Sequence, residues 1–257
     1  MEEQIQFKNH DGENLAGTLH IPDEPPRFGV VLGHCFTCTR HTGILRQLAK
    51  DLVGEGFIAL RFDFSGNGQS EGEFSQSTYS KQIAEMQIAA EIVTSNGVVW
   101  IGMAGHSMGG LISFLTASQT ENVSAVCAIG SRISEMEATH FLSQTQREIL
   151  ENTGQVSFTS RGRFLTVTED FFSDADGFEL QKILQSFQKP LLMVHGDHDE
   201  IIPVREAYRA QEMSKGSVDL EIIAGADHMF NREEHRYRVS KLVTRWFKEL
   251  INQTTEP

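Results

Sequence analysis

The stretch VVWIGMAGHSMGGLISFLTASQ, residues 98–119, constrains the fold most. It opens as an unbroken apolar run, reads as a buried strand, and passes into a helix through His106 and Ser107 with no intervening loop. A strand without a polar face must be covered on both sides, and a helix that follows it directly carries the chain back along the sheet. The same unit recurs. FGVVLGH (28–34) precedes a helix over about 41–54, on which Ile44, Leu45, Leu48 and Leu52 share one face before Gly54 and Gly56 stop it. FIALRFD, a Gly-rich loop and YSKQIAEMQIAAEIV follow, the last with an apolar stripe at Ile83, Met86, Ala90 and Val93. VSAVCAIG, PLLMVHG and VDLEIIAG are further strands, with helices expected over about 203–215 and 235–251. Strands alternating with helices predict a parallel, helix-covered α/β sheet, and IQFKNHDG with NLAGTLHIP predict an antiparallel hairpin at its edge.

The rhythm fails between 131 and 187, a polar stretch with Phe141, Phe158, Phe164, Phe171, Phe172 and Phe178 scattered through it. A connection between neighbouring strands needs far fewer residues. The expected organisation is a core of residues 1–130 and 188–257 with 131–187 inserted as a helical cap over the carboxyl edge of the sheet. A long crossover with one ordinary helix is the alternative.

Composition narrows the function. The net charge of −13 removes the counterion-release driving force for nucleic acid and disfavours an anionic membrane surface. Three cysteines do not make a secreted disulfide framework. The polar opening MEEQIQFKNHDG is unlike a signal peptide, and no apolar run is long enough to span a bilayer. The expectation is a cytoplasmic protein, monomer or homodimer, that acts on a small molecule without nucleic acid, membrane insertion, metal or cofactor.

GHSMGG has the G-x-S-x-G pattern, and its position between strand and helix is the context a nucleophile elbow requires. Gly105 and Gly109 allow backbones to approach, and Ser107 would sit on a sharp turn above a helix N-terminus. A serine hydroxyl needs a base. His228, in IIAGADHMF just past the last strand, is the candidate. Among Asp197, Asp199 and Glu200 of HGDHDEIIP, Asp199 is chosen to orient it, with Asp197 organising the loop. An oxyanion needs at least two donors. The Met108 backbone N–H is one; the other comes from the loop HCFTCTR, assigned to Phe36 with Cys35 as rival.

GHSMGG, HGDHDEIIP, GADHMF and RFDFSGNGQSEG together resemble the α/β-hydrolase family, with HCFTCTR similar to the His-Gly-Phe-Thr-Gly loop of its cinnamoyl (feruloyl) esterase-like members. The resemblance implies an eight-stranded, mostly parallel sheet, a triad of Ser107, Asp199 and His228, and Phe36 as oxyanion donor. Cys35 and Cys38 stand where that loop has glycines. As a C-x-x-C pair between strand and helix they are read as two small residues in a tight turn, as a redox pair that would reshape the oxyanion hole, or, least supported, as metal ligands. On this reading the chain is a carboxylesterase-like serine hydrolase for small apolar or aromatic acyl groups. A thioesterase, an amide or small-peptide hydrolase, and a non-catalytic ligand binder are the alternatives. Met108 and Phe36 would shape the substrate pocket, and Arg161 and Arg163 are candidates to meet a substrate carboxylate or to be solvated cap residues.

Overall fold

The computed structural model describes residues 1–214 and 218–255. In chain order the strands are β1 (Glu2–Lys8), β2 (Asn14–His20), β3 (Phe28–Gly33), β4 (Phe57–Phe62), β5 (Trp100–His106), β6 (Val123–Ile129), β7 (Gln155–Ser160), β8 (Arg163–Thr168), β9 (Leu191–Gly196) and β10 (Val218–Ile223). The helices are α1 (Gly43–Gly54), α2 (Tyr79–Thr94), α3 (Met108–Gln119), α4 (Gln144–Thr153), α5 (Glu169–Asp176), α6 (Leu180–Ser186), α7 (Arg205–Met213) and α8 (Glu233–Thr255). The eight-stranded sheet runs β1-β2-β4-β3-β5-β6-β9-β10. Every neighbouring pair from β4 to β10 is parallel, and β1 and β2 form the antiparallel edge hairpin. This is the α/β-hydrolase fold. The expected end of the helix at 215 lies outside the described residues.

Both faces of the sheet are buried, as unbroken apolar strands require. On one face Met86 and Val93 of α2 and Phe114 and Leu115 of α3 pack against Val31, Met103 and Val126. On the other, Ile44, Leu45 and Leu48 of α1 and Val239, Val243 and Phe247 of α8 cover Val30, Leu32 and Ala104. The hydrophobic stripe read on α1 is this contact.

Residues 131–187 differ from a purely helical insertion. They contain α4, α5 and α6, but also the antiparallel hairpin β7–β8. The hairpin turns on Arg161 and Gly162, whose φ values of 51° and 74° are the left-handed pair that a two-residue loop needs between strands of right-handed twist. Val156, Leu165 and Val167 bury one face of it, and they join the same hydrophobic core as α2 and α3.

Candidate active site

Ser107 occupies the bend between β5 and α3 with φ 56° and ψ −120°, a conformation that a side chain other than glycine adopts only under constraint. Its N–H donates to the Ile129 carbonyl at 2.8 Å, and its own carbonyl accepts from Gly110 N–H at 3.0 Å and Ser131 Oγ at 2.7 Å. The glycines make the bend possible by close approach. A Cβ on Gly105 would overlap the Gly109 carbonyl, and one on Gly109 would overlap the Gly33 carbonyl. Gly105→Ala is therefore expected to cost about 1–3 kcal/mol of stability by overpacking backbone against backbone. Urea unfolding measures this, and an unchanged midpoint would show that the bend has slack.

The loops after β9 and β10 bring an acid and an imidazole together. His228 Nδ1–H donates to Asp199 Oδ2 at 2.8 Å, which leaves Nε2 as the basic nitrogen. Asp199 Oδ1 accepts from the N–H groups of Ile201 (2.9 Å) and Ile202 (2.7 Å). Burial pushes the Asp199 carboxyl upward, but hydrogen bonds from His195, His228 and the Ile202 backbone and the charge of His228 together hold it well below the usual carboxylate range. Asp197 accepts from Gly225 N–H at 2.6 Å and ties the two loops, and Glu200 accepts from the His228 backbone N–H at 3.1 Å.

One cavity of about 590 Å³ is lined by Ser107, Met108, Phe36 and His228. Ser107 Oγ and His228 Nε2 do not hydrogen-bond to each other among the described residues. In a protein without substrate such contacts are commonly long, and they tighten in the complex. The N–H groups of Phe36 and Met108 carry no hydrogen bond among the described residues. The Phe36 ring lies within 5.1–6.1 Å of the rings of Phe74, Phe141, Phe158 and Phe171, so the loop after β3 reaches into the aromatic residues of the inserted segment.

Cys35 and Cys38 form a disulfide across this loop, and Cys38 N–H also donates to the Cys35 carbonyl at 3.0 Å. Thr37 Oγ1 lies 2.8 Å from Ser160 Oγ at the end of β7, a hydrogen bond between loop and hairpin. Arg161 lines the cavity at its exposed rim and reaches the Met229 sulfur at 3.0 Å. Arg163 is elsewhere. Its guanidinium donates to Gly66 O and Asn67 Oδ1 and lies over the Phe74 ring, off the cavity wall.

Several supports were not apparent from the sequence. His106 is fully buried and bonds the His228 carbonyl through Nε2 at 2.7 Å. Burial, with the neighbouring His228, lowers its pKa to about 3, so it serves as a neutral donor. His34 Nδ1 donates to the Cys35 carbonyl at 2.7 Å while Nε2 accepts from Phe64 N–H at 3.0 Å. Arg40, at the other end of the loop, is paired with buried Asp63 through its backbone and its guanidinium. The adjacency of both histidines to the motifs was their available signal. Among the described residues no group of three or more His, Cys, Asp and Glu is arranged to hold a metal ion.

A strained serine at a strand-to-helix bend, with an Asp–His pair delivered to the same cavity from the next strand ends, defines a serine hydrolase of the α/β-hydrolase fold. The chain belongs to the family described as serine aminopeptidase, S33, whose model matches residues 24–170, a span that holds Ser107. It is 23% identical to a monoglyceride lipase homolog of Monkeypox virus, over 93% of this chain and 95% of that one. It is 25% identical to human monoglyceride lipase, over 88% and 83%. Among solved structures it resembles Est1E from Butyrivibrio proteoclasticus with ferulic acid bound, at a TM-score of 0.85 and 23% identity over 96% of this chain and 99% of that one. It also resembles the esterase domain of a Rhodothermus marinus protein, at a TM-score of 0.75 and 22% identity over 96% and 97%. Among the described residues no helix is long and apolar enough to cross a membrane.

Proposed function

We propose that the chain hydrolyses carboxylic esters of small apolar or aromatic acyl groups through an acyl-enzyme, with Ser107 as nucleophile, His228 as base and Asp199 as its orienting acid. The observation that carries this reading is the 2.8 Å Asp199–His228 bond facing the same cavity as Ser107 and two idle N–H groups. His228 Nε2 takes the Ser107 proton as Oγ attacks the carbonyl carbon. The Phe36 and Met108 N–H groups receive the oxyanion, and Asp199 stabilises the imidazolium. His228 then protonates the departing alkoxide, and water, deprotonated by His228 in turn, releases the acid.

An acyl preference follows from the apolar side of the cavity. Phe36, Phe141, Phe158, Phe171, Leu111 and Met136 line it, an apolar and largely aromatic surface. The ferulic acid held by Est1E and the glycerides named for the lipase relatives belong to the two acyl classes such a wall would accept. Residues 131–187 act as the cap in this proposal, since they supply Phe141, Phe158 and Phe171 to the cavity. A cytoplasmic location remains part of the same reading. A fluorophosphonate probe followed by peptide mass analysis tests it: a stoichiometric adduct on Ser107, blocked by prior incubation with a hydroxycinnamoyl or p-nitrophenyl ester, is expected. Absence of an adduct on folded protein would favour the ligand-binder alternative.

A second reading, redox control, is supported by the Cys35–Cys38 bond, which encloses Phe36. Ester turnover is expected to be lower with the disulfide formed and to recover when dithiothreitol converts it to two thiols. Equal rates for the two forms, with the bond state verified by thiol titration, would remove this control.

A further inference from the structure

His195, the last residue but one of β9, has no exposed surface, and the mechanism proposed above leaves it without a role. Its Nε2 lies 2.8 Å from the Ile202 carbonyl oxygen and 3.4 Å from Asp199 Oδ2. Both neighbours are acceptors, so Nε2 carries the ring proton. Nδ1 is buried and has no hydrogen-bond partner among the described residues. The preceding residues of this strand, Leu191, Leu192, Met193 and Val194, are all apolar. A further apolar side chain at 195 would avoid the cost of a buried polar atom left unmatched. What the histidine adds is therefore the donor at Nε2.

That donor acts on the acid of the site. Ile202 is held from both sides: its N–H donates to Asp199 Oδ1 at 2.7 Å, and its carbonyl accepts from His195 at 2.8 Å. The imidazole thus ties the loop that carries the carboxylate back to the strand it leaves. Its Nε2 also faces Oδ2, the oxygen that accepts from His228 Nδ1–H at 2.8 Å. We propose that His195 is a positioning residue, which holds the Asp199 carboxylate in the one orientation that keeps the proton of His228 on Nδ1 and leaves Nε2 free to act as base. The inference rests on the reading of Ser107, His228 and Asp199 given above and adds a residue to it. His195 touches neither substrate nor reacting atoms. It acts through Asp199, and a misplaced carboxylate is felt where the imidazolium forms, on the way to the transition state.

The test compares His195→Met, which fills the place without an N–H, with His195→Gln, whose amide nitrogen can stand near the position of Nε2. In His195→Met, kcat for a p-nitrophenyl ester and the rate of fluorophosphonate labelling of Ser107 should both fall about tenfold, the typical worth of one hydrogen bond, while KM stays within about twofold. His195→Gln should recover most of both rates. A merely structural role would lower the thermal midpoint without this split between kcat and KM. Rates in His195→Met within about twofold of wild type, or a His195→Gln protein as slow as His195→Met, overturn the proposal. Labelling that follows the expected order with no ester turned over by any of the three proteins would defeat the ester reading and leave the role of His195 standing. Nitrogen-15 NMR of histidine-labelled wild type tests the geometry without any variant. His195 should show a proton on Nε2 and none on Nδ1 at neutral pH, and the opposite tautomer overturns the proposal.

Discussion

Replacing Ser107 by alanine is expected to lower turnover of p-nitrophenyl esters by roughly four to six orders of magnitude. The size follows from what the substitution removes. On the proposed mechanism alanine deletes the atom that forms the acyl bond and leaves His228 with no hydroxyl to deprotonate. It leaves the two idle N–H groups at Phe36 and Met108 and the cavity wall in place, so substrate affinity should change little. The loss therefore falls on kcat and not on KM, the pattern of a group needed only on the way to the transition state. The fold should not suffer. The bend at φ 56° is held by the Ile129, Gly110 and Ser131 bonds to the Ser107 backbone, none of which uses its side chain. Steady-state kinetics together with thermal melting checks both halves. A kcat within tenfold of wild type would mean that another nucleophile does the work.

Much of this was readable because each part has a local signature. The parallel strands follow from largely apolar runs, the edge pair from IQFKNHDG and NLAGTLHIP, and the candidate residues Ser107, Asp199 and His228 from their places just beyond strand ends. What escaped is non-local or masked by composition. The β7–β8 hairpin carries its own signal, QVSFTS and RFLTVT around an Arg-Gly turn, but its alternation is weakened by Phe164, which is 77% exposed. That exposure puts an aromatic on the solvent side, where the period-two pattern wants a polar residue. Arg163, by its place in the insertion a candidate for a substrate contact or for a solvated cap residue, has its partners at Gly66 and Asn67, almost a hundred residues away in the chain. His106 bonds a carbonyl 122 residues distant, and Arg40, beyond the end of β3, meets Asp63, beyond the end of the neighbouring β4, pairings that only the fold creates. Backbone acceptors leave no trace in side-chain identity, which is why the supports of the site were harder to see than the site.

Those buried histidines lead to the other large expected effect, steep loss of stability in mild acid. His106 has no exposed surface, and its pKa falls from an ordinary 6.5 to about 3. Burial is the main cause, and the electrostatic effects of His228 and Arg161 add to it, while the bond to the His228 carbonyl and the Asp199 charge oppose it. His20 is lowered to about 4 by burial and Arg61, and His34 is lowered by burial. The sign is set by which state takes the proton. Between pH 6.5 and the folded value, the unfolded chain binds a proton that the native site refuses. The neutral histidine therefore contributes its full stability above pH 6.5 and loses it as pH falls toward 3. For His106 alone the loss between pH 6.5 and 5 is about 2 kcal/mol, from 1.36 kcal/mol per pH unit. Glutamine can still donate to the His228 carbonyl but does not titrate, so His106→Gln should flatten the pH dependence of urea unfolding by about that amount across the same window. Its stability at neutral pH should drop, since the amide does not fill the ring's place against His228 and Phe230. Parallel curves for the two proteins from pH 7 to 5 would mean that His106 takes its proton in the folded state, and the acid sensitivity would then have to come from histidines such as His20, His34 and His140, which burial also lowers.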